Sequence, residues 1–476
     1  MPRYAYDLLS VNARGGDSRS PAGGGALVEQ GLDLRARHPV IAQAAGVLAK
    51  LKSSRTVKLL TLEFDVDEDR RTVHITPVGI MAPMVRKRVS YLESQLAKQG
   101  RPCAVMDGGL VYNLYQPPVP SRRFANALAR LVVHGRYPIK PTTCTLQVTG
   151  KCQLNCYHCS AARYKTPLRE ELSTAEWLDA IRQAQDLGVT NIVLTGGEPL
   201  LRKDIFDLIA SVDRTRSHVS IFTNGLLLTD ENVARLKEAG IYSVMVSLDD
   251  PRPEAHDGLR RIPGGFEKTV GGLKRVVAAG ILAGISTYCS PEDLQMGRVE
   301  QMIEVARGVG VHEITVFDII PTGKLLPLQE KQLLSEDDKR RLIELDRHYN
   351  QLEGYPHVIT QALINGPEGS GCFAGHAQFY MTAYGDVDPC DFTPLTFGNV
   401  RDEPIADAWE RMQVHPAYRD RCMHCRMQDS DFRRRYIDPI PEDVLLPWPA
   451  LKELRNRPHG PGAVAVKPEA EAVPVS

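Results

Sequence analysis

Beyond Cys144 the chain alternates between two kinds of segment, and this alternation constrains the fold more than any other feature. Short β-branched runs, TLQVTG from Thr145, NIVLTGG from Asn191, HVSIFTNG from His218, SVMVSLD from Ser243, GISTYC from Gly284 and EITVFDII from Glu313, are separated by helical segments such as Ser173–Gly188 and Gly265–Gly280. Ser173 and Glu176 form a capping-box pattern at the start of the first of these helices. Strand and helix repeated in this way predict a parallel sheet with helices outside it. Six units are too few to close an eight-fold barrel. The expected fold class is therefore α/β, an open, partial (β/α)6 TIM-like barrel over residues 142–330.

In such folds the chemistry lies at the C-terminal ends of the strands. The loop after the first strand carries Cys152, Cys156 and Cys159. Gly196, Gly197 and Glu198 end the second strand, Thr223 and Asn224 the third, and Ser247 and Asp249 the fourth, so these groups are expected to converge on one face. Three close cysteines lack the fourth ligand that a structural zinc site or a complete iron-sulfur cage needs. Two chemistries fit: a [4Fe-4S] cluster with one iron left open, or a zinc site that borrows a histidine such as His158.

Seven of the ten cysteines fall into two groups. The N-terminus has no apolar signal-peptide core and no run of about 18 apolar residues occurs, so a cytoplasmic protein without a membrane span is expected. In that reducing compartment the cysteines are thiols or metal ligands rather than disulfides. With 58 basic and 58 acidic residues the chain has no global basic field, which argues against a nucleic-acid partner. Cys103, Cys144 and Cys289 are expected to be buried thiols.

The chain resembles the radical S-adenosylmethionine (SAM) superfamily, whose hallmark CxxxCxΦC reads here Cys152, Cys156 and Cys159, with His158 in the aromatic slot. GGEP (Gly196–Pro199), FTNG (Phe222–Gly225), SLDD (Ser247–Asp250) and IIPTGK (Ile319–Lys324) are similar to further family motifs. The resemblance implies that SAM chelates the open iron of a [4Fe-4S] cluster, is cleaved reductively, and yields a 5′-deoxyadenosyl radical that abstracts hydrogen. It implies that His158, Gly196, Gly197, Glu198, Thr223, Asn224, Ser247 and Asp249 line the SAM pocket. Either Arg260 or Arg261 is a candidate for the SAM carboxylate, with a solvated loop as the alternative. An electron donor such as flavodoxin or ferredoxin is implied as well.

Beyond the barrel lie Cys372, Cys390 and the pair Cys422 and Cys425. The stretch from Cys372 is similar to the SPASM and twitch extensions of radical SAM enzymes, with Cys372 before a hairpin, Gly385 at its turn and Cys390 after it. One auxiliary [4Fe-4S] cluster is expected over residues 331–440, with a four-cysteine zinc site as the alternative. A fully ligated cluster suits electron transfer, which favours a net oxidation (crosslink, dehydrogenation or decarboxylation) of a peptide or small biosynthetic precursor. Alternatives are an enzyme oxidising haem or tetrapyrrole precursors, an enzyme activator, or a non-catalytic iron-sulfur electron-transfer protein. Residues 32–137 read as an α+β module of open role, with a helix at 38–51, a hairpin turning at Asp67–Arg70 and an amphipathic helix at 84–100. Residues 1–31 and 456–476 read as disordered tails.

Replacing Cys152, Cys156 and Cys159 together with Ala is expected to abolish reductive SAM cleavage while leaving iron on the C-terminal cysteines. Chromatographic detection of 5′-deoxyadenosine checks this, and its continued formation would overturn the ligand assignment.

Overall fold

The computed structural model describes residues 3–12, 56–67, 72–79, 82–134, 140–163, 169–441, 444 and 446–450. The helix expected at 38–51 and the tail at 456–476 lie outside these residues. Near the N-terminus, strand β1 (Arg3–Asn12) pairs antiparallel with β2 (Thr56–Asp67), which pairs antiparallel with β3 (Thr72–Val78). This corrects the expectation of a disordered tail over 1–31 for residues 3–12. Composition dominated by Gly, Ser and Arg further along concealed an alternating stretch whose Tyr6 ring meets Phe64 edge-on at 5.7 Å. The expected hairpin is β2 and β3, in register from Asp67↔Thr72. Leu60, Leu62, Phe64 and Val66 alternate along β2 and are all buried, the period-two pattern of a sheet with one dry face. The helix Ala82–Lys98 packs Val85, Val89 and Leu96 on that face, joined by Ala125 and Leu128 of the helix Arg122–His134.

Between those helices, β4 (Ala104–Met106) and β5 (Gly109–Val111) form a hairpin through Asp107-Gly108, both at positive φ. Such a two-residue turn matches the twist of the flanking strands. The chain then enters the barrel from below.

The barrel strands are β6 (Thr143–Gln147), β7 (Asn191–Thr195), β8 (His218–Thr223), β9 (Ser243–Ser247), β10 (Leu282–Cys289) and β11 (Glu313–Asp318), parallel and neighbouring in sequence order. One face of each strand, including Ile192, Leu194, Val219, Ile221, Val244, Ile285, Ile314 and Val316, packs on the surrounding helices in the main core. The helix Thr174–Leu187 contributes fully buried Trp177, and its capping box between Ser173 and Glu176 is present as expected. The sheet is larger than the six strands anticipated. β12 (His357–Thr360) extends it beside β11, and β13 (Gln378–Met381) extends it beside β6, followed by antiparallel β14 (Val387–Asp388). The C-terminal extension is therefore continuous with the barrel sheet. Its strands are only 2–4 residues long, too short for a clear period of their own.

Toward the barrel axis the strands carry small or polar residues, Ser220, Ser243, Gly284, Ser286 and Thr315 among them. Part of the space they leave is filled from outside. Leu114 packs with Val111, Tyr242, Met245 and Leu282, and its N–H donates to Glu313 Oε2 at 2.7 Å. A Cβ on Gly284 would stand 2.4 Å from Met245 Sδ and 3.1 Å from Leu114 Cδ1, so any side chain here would have to displace the end of Met245. Tyr115 reaches Thr315 Oγ1 at 3.4 Å and its ring lies 6.4 Å from Phe222.

Burial holds the Glu313 carboxyl up at about 7, against an ordinary 4.5. The folded state binds this proton more tightly, so its contribution to stability is complete below about pH 4.5 and is lost as pH rises through about 7, by roughly 2–4 kcal/mol. Glu313→Gln, which keeps an acceptor for Leu114, should flatten this dependence. Denaturant unfolding at pH 5 and pH 8 measures it, and an unchanged slope would contradict the assignment.

Candidate functional site

The loop that follows β6 is held by hydrogen bonds from four directions. From its own continuation, Glu171 accepts from Thr149 Oγ1 at 3.0 Å and from Gly150 N at 2.8 Å. From β7, Gly197 N donates to Thr149 O and Glu198 N to Lys151 O, each at 2.7 Å. A Cβ on Gly197 would lie 2.1 Å from Lys151 O. The close approach these glycines permit is thus to the cysteine loop itself. From the helix Pro253–Arg260, Leu259 O accepts from Tyr157 N at 3.0 Å. From the segment after β11, Lys324 N donates to Cys159 O at 3.1 Å, and Lys324 Nζ to Cys156 O at 2.7 Å. Gly323, at φ 52°, leaves no room for a Cβ against Cys159 O.

This clasp presents three thiols together. Cys152 is exposed, Cys156 buried and Cys159 half-buried. Burial pushes the Cys152 thiol up, and the nearby Cys156 and Cys159 add to the shift. Cys152 Sγ accepts from Leu154 N at 3.4 Å and from Asn224 Nδ2 at 4.0 Å, donors that favour a thiolate. His158 is not turned to this group. Its Nε2 lies 3.3 Å from Asp249 Oδ2 and its ring 4.7 Å from that of Tyr288, which removes the histidine that a zinc site would borrow. Among the described residues no three His, Cys, Asp or Glu side chains close on a point as a single metal ion requires. Three thiols clasped on one loop suit the corners of a larger iron-sulfur cube.

Glu198 is fully buried, and its carboxylate accepts from Thr223 Oγ1 at 2.8 Å, Asn224 N at 2.8 Å and Leu200 N at 3.0 Å. Burial raises its pKa against the opposing pull of those donors. Its visible work is to join the ends of β7 and β8 and aim Asn224 at Cys152. Asp249, with a side chain 3% exposed, receives a bidentate fork from Arg260 at 2.6 and 3.0 Å. Burial acts to raise the Asp249 carboxyl, but Arg260 and His158 outweigh it and hold it down at about 2. Ser247 ends β9 half-buried. Of the two candidate arginines, Arg260 turns inward and Arg261 outward. The sequence signal was the Arg-Arg pair, which could not say which guanidinium faced the site.

The second group assembles beside the first. Cys372 N donates to Cys422 O at 2.8 Å, and Gly371, at φ 75°, leaves a Cβ only 2.5 Å from that carbonyl. Burial raises the thiols of Cys372, Cys390 and Cys425, and proximity adds to it: Cys422 acts on Cys372, while Cys372 and Cys425 act on Cys390. Cys422 differs, because hydrogen bonds from His424 outweigh burial and lower its pKa. Gln428 ties this loop to the end of β11 through Asp318 Oδ2 at 3.2 Å and Ile319 O at 3.3 Å. Tyr380 of β13 is buried, and burial raises its pKa, with Asp391, Asp388, Cys159 and Cys390 adding to the shift. The segment after β11 links the two cysteine groups, since Thr322 Oγ1 donates to Phe392 O at 2.9 Å and Lys324 N to Cys159 O at 3.1 Å. Cys144 and Cys289 are buried as expected, whereas Cys103 is half-buried and its thiol donates to Val111 O at 3.3 Å.

Residues 146–306 match the radical SAM superfamily and residues 372–427 the SPASM iron-sulfur cluster-binding domain. The AdoMet-dependent heme synthase of Methanosarcina barkeri is 30% identical over 299 residues, spanning 59% of this chain and 85% of that protein. PqqA peptide cyclase of Rhizobium meliloti is 27% identical over 311 residues, spanning 62% of this chain and 82% of its own. The crystal structure of Streptococcus suis SuiB bound to S-adenosylmethionine superposes with a TM-score of 0.51 at 16% identity, covering 73% of this chain and 86% of that one. The chain belongs to the radical SAM superfamily and carries a SPASM domain. It is an enzyme of that class, whose cofactors are a SAM-binding [4Fe-4S] cluster, SAM and auxiliary iron-sulfur. Among the described residues no helix is long and apolar enough to cross a membrane.

Asp249→Asn should leave the Arg260 charge buried and unmatched, costing roughly 3–5 kcal/mol of stability, most of it recovered when Arg260→Met is added. Denaturant midpoints of both single variants and the double variant test this. Additive losses would show that the pair does not organise the site.

Proposed function

We propose that this enzyme cleaves SAM at Cys152, Cys156 and Cys159 and carries out a net oxidative modification of a peptide. The observation that carries this reading is that the segment after β11 joins the two cysteine groups: Lys324 Nζ donates to Cys156 O at 2.7 Å, and Thr322 Oγ1 donates to Phe392 O at 2.9 Å, two residues past Cys390. An electron released at a substrate lying there has a redox centre beside it. When bound, the cluster and SAM supply a 5′-deoxyadenosyl radical for hydrogen abstraction. The chain's own residues supply position. Gly196 and Gly197 let β7 pack on the loop, Glu198 fixes Thr223 and Asn224, and Arg260 fixes Asp249. Thr223, Asn224, Ser247 and Asp249, with the His158 ring, would hold SAM across these strand ends. Cys372, Cys390, Cys422 and Cys425 hold one auxiliary cluster, and the reducing cytoplasm keeps all seven thiols available.

A peptide substrate is supported by the relatives named as peptide cyclases and by SuiB, solved with its precursor peptide. The heme synthases favour a second reading, oxidation of a tetrapyrrole precursor.

The test uses anaerobically reconstituted enzyme with dithionite and either short peptides encoded near its gene or tetrapyrrole carboxylates. Wild type should carry about eight irons. Cys390→Ala should hold about half and lose modified product far more than 5′-deoxyadenosine. Equal loss of both would remove the electron-accepting role, and turnover of the tetrapyrrole alone would favour the second reading.

A further inference from the structure

The ammonium of Lys324 is held against the three-cysteine loop without a counter-charge. Gly323 has no room for a Cβ against Cys159 O, so the chain passes the loop in close contact, and the next residue, Lys324, places its N–H on that same carbonyl at 3.1 Å. The Lys324 side chain then runs to the neighbouring ligand. Its Nζ donates to Cys156 O at 2.7 Å and to Asn155 Oδ1. One residue thus spans the carbonyls of two of the three cysteines. Both oxygens that Nζ meets are neutral, and among the described residues no carboxylate pairs with it.

The other charges around the loop are matched, turned elsewhere or in water. Arg260 is forked onto Asp249 at 2.6 and 3.0 Å. Glu171 accepts from Thr149 and Gly150, and Glu198 from Thr223, Asn224 and Leu200. Lys151 precedes Cys152 but is exposed, whereas Lys324 is half-buried, so water screens the first charge more than the second. To satisfy two neutral oxygens any uncharged donor would serve. What a lysine adds is a fixed positive charge.

We propose, on the SAM-cleaving reading, that Lys324 sets the reduction potential of the three-cysteine site by stabilising its reduced form. A [4Fe-4S] centre on three thiolates is anionic, and taking up one electron adds a further negative charge with no bond made or broken in the chain. A positive charge fixed at the carbonyl of one ligand favours the more negative form, and net charge is one of the factors that set such potentials.

The test is an anaerobic redox titration of the reconstituted full chain with dithionite, followed by electron paramagnetic resonance. The signal that changes when SAM is added to a reduced sample marks the three-cysteine site, and its midpoint is then measured with SAM absent. Lys324→Gln keeps a hydrogen-bond donor and loses the charge. It is expected to shift the reduction equilibrium about three- to ten-fold toward the oxidised form, which is about 28–59 mV lower for one electron. Lys324→Arg should stay within about two-fold of wild type. Asn155→Asp keeps the lysine but sets a carboxylate against it, and should lower the midpoint in the same direction; it decides the matter if Lys324→Gln fails to retain iron. A wild-type midpoint in Lys324→Gln or in Asn155→Asp would overturn the proposal, as would an equal drop in Lys324→Arg. If no signal of the wild type responds to SAM, the SAM-cleaving reading fails instead, so the two failures are distinguishable.

Discussion

Everything at the site depends on how the backbone of Thr149–Cys159 is clasped. A loop with so few apolar side chains has no core of its own, and its carbonyls must find donors. Thr149 and Lys151 find them at Gly197 N and Glu198 N, while Cys156 and Cys159 find them at Lys324. Gly197 and Gly323 have the wrong surroundings for any side chain, since a Cβ at either would strike a carbonyl of this loop. The motif residues after the second and last barrel strands thereby act on the cysteines first and on any ligand second. Their spacing in sequence reflects a packing requirement.

The second organising fact is the pairing of β13 with β6. Adding a strand to the open edge of the partial barrel satisfies backbone groups that would otherwise stay exposed. It also carries Tyr380 and Cys390 to the strand whose following loop holds the first three cysteines. Gln428 ties the last cysteine pair back to β11, at the other side of the barrel. Closure by the extension, rather than by further strand and helix units, ties the two cysteine groups together through the segment after β11. The floor is closed differently, by Leu114 and Tyr115 of the N-terminal module, which occupy space left by the serines and glycine of the central strands.

The sequence by itself determined the alternation of strands and helices, their parallel order and the strand ends at which Cys152, Glu198, Asn224 and Asp249 emerge, because these follow from periodicity and local capping. It also marked both cysteine groups by spacing. Only the tertiary structure decided which groups face one another: that Arg260 rather than Arg261 reaches Asp249, that Glu198 is spent on Thr223 and Asn224, that His158 turns to Asp249, and that residues 3–12 join a sheet. The hairpin of β13 and β14 turning at Gly385 was legible in the sequence, whereas β12 and the pairing of β13 with β6 were not. The physical reason is common to these cases. Short strands and single polar side chains carry too little pattern locally, and their positions are fixed by hydrogen bonds to partners tens or hundreds of residues away.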